Sequence, residues 1–176
     1  ALVFTAPADA EQNLHNTLKA EKAHTTAREW THSRPKRWDT YVDQYRSVIW
    51  YTVLKLDLAS KQWHLSTKGP VNALRGTGLV VPFYSNSQSS PDLDISSYGI
   101  AFATTEPGDT EWRKSQSSLY FLPLSTFEET ELPALKKIKV PDHADIVATP
   151  RFAPRDPVVA FLVDQNNEEW SHKSIV

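Results

Sequence analysis

The chain has 176 residues, 40% of them hydrophobic, which suffices for one domain with a real core and lies far from the disordered class. A formal net charge of -2 removes any electrostatic reason to expect nucleic acid or an anionic surface as partner, and the apolar runs fall well short of the roughly 20 residues that cross a bilayer. Without cysteine there is no disulfide framework, no thiolate chemistry and no cysteine-ligated zinc, and the compartment, secreted or cytoplasmic, stays open. An Asn-x-Ser/Thr acceptor is also lacking.

Methionine is absent too, and the chain starts on "ALVFTA", which reads as the inside of a strand without the charged region or cleavage site of a signal peptide. It stops on the equally strand-like "HKSIV". These features predict a segment of a longer polypeptide. After Pro7, Asp9 stands as a helix cap with Gln12 in capping-box position, and Leu14, Leu18, Ala20, Ala23, Ala27 and Trp30 recur at mostly three- and four-residue spacing. A helix over about 9–30 is predicted, with Thr25-Thr26 and several polar residues weakening the pattern. The basic stretch "THSRPKRWD", with His32, Arg34, Lys36 and Arg37, is isolated in a slightly acidic chain and reads as a solvated loop rather than a nucleic-acid contact.

From Ser47 the period changes. "SVIWYTVLKLDLASKQWHLST" gives a long strand to Leu58, a polar turn at 59–62 and a second strand from Trp63 to Thr67, a hairpin. A loop rich in Gly, Ser, Asn and Pro follows, interrupted only by Leu79-Val80-Val81. "LDISSYGIAFATTEPG" then makes a turn and a strand, "SQSSLYFLPLSTFEETEL" a strand, a turn and a further strand, and "TPRFAPRDPVVAFLVD" repeats the turn-and-strand element.

Laid side by side, these pieces repeat. Ala101-Phe102 in "GIAFAT" and Ala160-Phe161 in "VVAFLV" lie 59 residues apart, and Val53 to Leu58 in "VLKLDL" lies 66 residues before Leu119 to Leu124 in "LYFLPL". Each unit runs approach strand, apolar inner strand, alternating strand, edge strand, the pattern of a propeller blade whose inner strands are apolar because neighbouring blades cover both their faces. A β-sandwich in which the two similar stretches coincide by chance is the plainer alternative.

"FAPRDPVVAFLV" is similar to the F-S-P-D-G-x-x-I-A-F turn and strand of the propellers of prolyl-oligopeptidase-type serine peptidases and of related tricorn and TolB-like propellers. "TVLKLDLASKQWHLST" looks like the companion alternating strand, turn and edge strand. With "RWDTY" before the long strand and "PDLDI" before the turn, the ordered set resembles fungal dipeptidyl-peptidase V-type enzymes. The chain departs from the pattern at Ser96-Ser97-Tyr98-Gly99 and at Ala153-Pro154-Arg155-Asp156-Pro157, where the second turn loses its glycine and must take another form. The resemblance implies a mostly all-β fold, a partial β-propeller of about two and a half four-stranded antiparallel blades with a helical insertion near the N-terminus. The blades would be 1–67 with the insertion at about 9–30, about 79–132, and a truncated one at about 149–176, all within one propeller domain. In detail, Leu2 to Thr5 would form an inner strand completed by 47–58 and 63–67, followed by strands at 92–96, 99–104, 117–124 and 127–132, then 149–153 and 157–163.

The implied function is a non-catalytic propeller segment of a serine exopeptidase that gates and positions short peptides. Its partners would be the remainder of the propeller and an α/β-hydrolase domain, with neither membrane nor nucleic acid involved. The five glycines, at 69, 76, 78, 99 and 108, form no G-x-S-x-G elbow, so no catalytic residue is assigned within the segment. No cofactor is expected, and His15, His24, His32, His64, His143 and His172 show no paired ligand spacing. Asp92 and Asp94 read as turn chemistry before a strand rather than a cation site. Some dipeptidyl peptidases hold a substrate amino group with paired propeller glutamates; Glu128-Glu129 and Glu168-Glu169 lack that motif context and read as solvated loop pairs. Trp38, Trp50, Trp63, Trp112 and Trp170 read as packing residues. A stand-alone propeller-like interaction domain is the second reading. Whichever holds, severed blade faces would leave the isolated segment prone to association.

Overall fold

The computed structural model describes residues 1–16, 36–37, 40–41, 45–81, 92–104, 117–141, 146–165 and 173–175. Every regular element among them is a β-strand, and every ladder is antiparallel. The strands are β1 (Leu2–Ala8), the short ladder of β2 (Lys36–Arg37) with β3 (Thr40–Tyr41), β4 (Arg46–Thr52), the hairpin of β5 (Leu54–Leu56) with β6 (Trp63–Leu65), and β7 (Val71–Asn72). Then come β8 (Leu93–Ser96), β9 (Gly99–Thr104), β10 (Ser118–Pro123), β11 (Lys136–Ile138), β12 (Ile146–Phe152), β13 (Val159–Gln165) and β14 (Lys173–Ile175).

They assemble mainly into three sheets. The first has the order β1-β4-β7, the second is the four-stranded meander β8-β9-β10-β11, and the third is β12-β13-β14. β4 lies at the centre of the first sheet, with Leu2 opposite Thr52 on one side and Trp50 opposite Asn72 on the other. Its run Val48-Ile49-Trp50-Tyr51-Thr52 is buried throughout, as the loss of polar alternation demands. Ile49 and Tyr51 share one apolar core with Ile100 and Phe102 of β9 and with Tyr120, Leu122 and Leu124 in and after β10. The opposite face of the second sheet meets the third: β12 packs on β8 and β9, and the Phe121 and Phe152 rings lie edge to face at 6.1 Å. The second sheet is therefore the middle layer of a stack.

Gly99 shows how tightly β9 approaches β10. At φ 141° it occupies backbone space closed to side-chain-bearing residues, and a Cβ there would lie 2.0 Å from the Leu122 carbonyl oxygen and 2.9 Å from the Leu124 nitrogen. The glycine-free turn at 153–158 takes another path, closed by the Ala153 N–H donating to the Val158 carbonyl at 2.8 Å. None of its residues has a positive φ.

Several expectations are corrected. No helix starts at Asp9. Its carboxylate instead accepts the Asn13 N–H at 2.8 Å, Gln12 takes φ 64°, and the chain reverses so that Leu14 bridges back to Ala8. A short polar side chain that captures a nearby amide competes with helix formation, and here the competition favours a turn beside an existing strand. The rest of the expected helix, 17–30, lies outside the described residues. The long strand 47–58 is broken at Val53: β4 pairs with β1 and β7, whereas β5 pairs with β6 alone. The strand expected at 127–132 is absent: Phe127 stands at φ 59°, incompatible with a pleat, and the fourth strand of the meander is 136–138. The approach strand of the third sheet begins at Ile146 and bulges between Ala148 and Arg151, with Thr149 at φ 47°.

Candidate functional site

The densest polar constellation joins the first sheet and its hairpin to the segment after β10. Residues 125–129 fold around the Glu129 side chain, whose Oε1 accepts the N–H groups of Ser125 at 2.7 Å and Thr126 at 2.9 Å. That grip turns the chain through Phe127, which buries its ring edge-on against Tyr51 with centroids 6.0 Å apart. Glu128 then points to the hairpin side, accepting the Ser66 hydroxyl at 2.5 Å and pairing with the Lys55 ammonium at 2.9 Å. The Lys68 ammonium donates to the Glu128 carbonyl at 2.7 Å. Glu128 thus latches the hairpin side to the second sheet, and Glu129 shapes the turn that presents it.

The electrostatics favour a latch over proton transfer. Burial works to raise the Glu129 carboxyl pKa, but the amides of Thr126 and Ser125 outweigh it and hold the group down at about 2. Burial pushes the Tyr51 phenol up to about 12, with the Glu129 charge adding to the shift. One group thus stays ionised and the other protonated across the neutral range, whereas a general acid or base works best with a pKa near the operating pH. For Glu128, the Ser66 hydroxyl first and Lys55 second lower the pKa. The Oε2 atom of Glu129 is buried without a hydrogen-bond partner, so the carboxylate is held by one oxygen.

Asp92 and Asp94 are brought to a second seam. Asp92 accepts the Thr149 N–H at 3.0 Å, inside the bulge of β12, and Asp94 the Phe152 N–H at 2.7 Å, beyond the bulge on this edge strand, so each amide finds a partner in the second sheet. Ser117 ties the same two sheets by accepting the Val147 N–H at 2.6 Å and donating to the Val147 carbonyl at 2.7 Å. Asp92 sits just before β8 as the sequence suggested, whereas Asp94 lies within that strand, and both reach across to the next sheet.

The other residues singled out do not converge. His15 stacks on Tyr45 at 3.8 Å, while His64 lies exposed on β6. Trp50 is buried and donates its indole N–H to the Ala6 carbonyl at 3.1 Å; Trp63 is open to solvent. His24, His32, His143, His172, Glu168, Glu169, Trp38, Trp112 and Trp170 lie outside the described residues. Among the described residues no three His, Asp or Glu side chains gather as metal ligands, and no helix is long and apolar enough to cross a membrane. Sequence reading missed Lys55, Ser66 and Lys68 as partners of Glu128, since contacts 60 or more residues apart carry no local signal. No family model, curated protein or solved structure matches the chain.

Proposed function

We propose that the chain is a non-catalytic segment of a β-propeller from a fungal dipeptidyl-peptidase V-like serine exopeptidase. The remainder of the ring and an α/β-hydrolase domain are its partners. In this reading the ring covers the catalytic serine and admits only short peptides, so selectivity comes from exclusion and positioning and not from chemistry on these residues. The observation that carries it is the four-stranded meander β8 to β11, lying between a sheet in front and a sheet behind, in chain order. That is the relation of a blade to its neighbours. The peptidase part rests on the resemblance of "FAPRDPVVAFLV" and "TVLKLDLASKQWHLST" to the blade motifs. The Glu128-Glu129 pair is not given the amino-group role, because both carboxylates are committed to the latch.

The test is to raise an antibody to this chain, recover the native antigen and treat it with a fluorophosphonate, which labels activated serines. The expected result is a labelled polypeptide much larger than the chain itself, carrying a G-x-S-x-G elbow. An unlabelled antigen with no such elbow would remove the peptidase reading. It would leave the stand-alone interaction domain, which the solvent-exposed apolar side chains of the β5–β6 hairpin favour.

A further inference from the structure

The β5–β6 hairpin stands apart from the sheets around it. Its two strands pair only with each other, and every residue from 55 to 65 is exposed. A lone two-stranded hairpin is marginal in water unless something stiffens it. Here the turn does so. The Asp57 carboxylate accepts the Ala59 N–H at 2.9 Å and the Ser60 hydroxyl at 2.6 Å. On the backbone, the Asp57 N–H donates to the Gln62 carbonyl at 2.9 Å and the Lys61 N–H to the Asp57 carbonyl at 2.8 Å. The hairpin is therefore one stiff piece.

Its base, in contrast, is anchored. The Ser66 N–H donates to the Val53 carbonyl at 2.8 Å, Val53 packs against the core, and Ser66 is buried. Just past the base, the Lys68 ammonium donates to the carbonyls of Glu128 at 2.7 Å and Glu129 at 3.4 Å. Between this anchored base and the tip, the tie to the rest of the molecule is Lys55, paired with Glu128 at 2.9 Å. His64 stands opposite Lys55 and shares its face, while Leu56 and Trp63 lie on the other. The turn that presents Glu128 also holds the buried, unpartnered Oε2 of Glu129, a desolvated oxygen that entering water would satisfy.

We propose that the β5–β6 hairpin is a hinged arm. It turns as a unit about the Val53–Ser66 pair, between a closed position latched by Lys55 on Glu128 and an open one in which that pair is broken. A stiff lever on a fixed base concentrates motion at the hinge, and an exposed ion pair is a weak clasp. Both positions are therefore populated, and Glu128 sets the balance between them. The inference rests on the hairpin and its latch, and not on the peptidase reading or on what covers any apolar face.

The test is a distance measurement by pulsed electron double resonance, with spin labels on Ala59→Cys at the tip and Lys136→Cys on β11, both exposed positions. The lever from hinge to tip, residues 54–58, is about 15 Å long at ~3.3 Å per residue, so opening should add a resolved second distance. Lys55→Ala should raise the ratio of open to closed about twofold, the weight of an exposed ion pair. Glu128→Ala should raise it about tenfold, because the Ser66 hydroxyl at the hinge loses its charged acceptor as well. Hydrogen exchange should leave the Asp57 and Lys61 amides as protected in both variants as in the unsubstituted chain, and protection of β9 and β10 reports that the core is intact. Lys55 is exposed, so its variant keeps the test decisive if Glu128→Ala disturbs the core. The same distance distribution with and without the latch would overturn the proposal. So would loss of protection at Asp57 and Lys61 in step with the second distance, which means that the hairpin melts instead of turning.

Discussion

The segments "VLKLDL" and "LYFLPL" carry the same alternation 66 residues apart and meet opposite fates. Leu122 and Leu124 are 0% and 3% exposed, whereas Leu56 and Leu58 are 39% and 72% exposed. Local pattern sets which side of a strand is apolar, but only the presence of a neighbouring sheet decides whether that side is buried. The opposite sides of the two strands differ too, with Lys55 reaching an acidic latch where Phe121 packs on Phe152. A charged residue is tolerated at that position because the segment opposite supplies Glu128.

The largest effect should come from removing matched leucines. Leu122→Ala should cost about 2–5 kcal/mol in a urea melt, the range for a buried leucine, while Leu56→Ala in dilute protein should stay within about 0.5 kcal/mol. Equal costs would show that the two faces are equally covered. Next come the paired turn positions. Gly99→Ala drives a methyl into the Leu122 carbonyl at a left-handed backbone and should cost about 3 kcal/mol, whereas Val158→Gly, 59 residues on at an exposed site with no positive φ, should cost about 1 kcal/mol or less.

The latch gives a smaller and pH-dependent effect. Glu129 is held at about 2 in the fold, below the roughly 4.3 of an unfolded glutamate. Its stabilisation is therefore complete above the unfolded value and is lost as pH falls through the folded one. Glu129→Gln should flatten the acid limb of the stability profile between about pH 4 and pH 2 and cost about 1 kcal/mol at neutral pH. An unchanged acid limb would show that the amides of Ser125 and Thr126 do not hold the carboxylate. The smallest effect belongs to Lys55→Ala. With 61% of its side chain exposed, this ion pair should be worth about 0.5 kcal/mol or less, measured in low salt.

The buried strands were legible because apolar runs such as Ile49 to Tyr51 and Ile100 to Phe102 need two covered faces, and the structure supplies them. Gly99 was read only as part of a departing turn, and its close approach to Leu122, which excludes a side chain, emerges only from the paired strands. Residues 9–16 misled, since the Asp9 spacing that caps a helix equally well closes a turn. The fourth strand of the meander was misplaced because Phe127 and Leu132 look strand-like, whereas the Glu129 carboxylate winds residues 125–129 into a turn. The latch itself was invisible: Ser66, Lys55 and Glu128 meet only after the sheets stack.

Because the chain has no cysteine, a thiol introduced at one site reports on that site alone. The most direct test of the stack compares Leu56→Cys with Leu122→Cys in dilute protein, following thiol labelling by an aromatic disulfide. Cys at 56 should react at nearly the rate of an unstructured peptide. Cys at 122 should react more than about 10³-fold slower, limited by opening of the core. Comparable rates at the two positions would contradict a second sheet covered at β10 and a β5–β6 hairpin with one apolar face left bare.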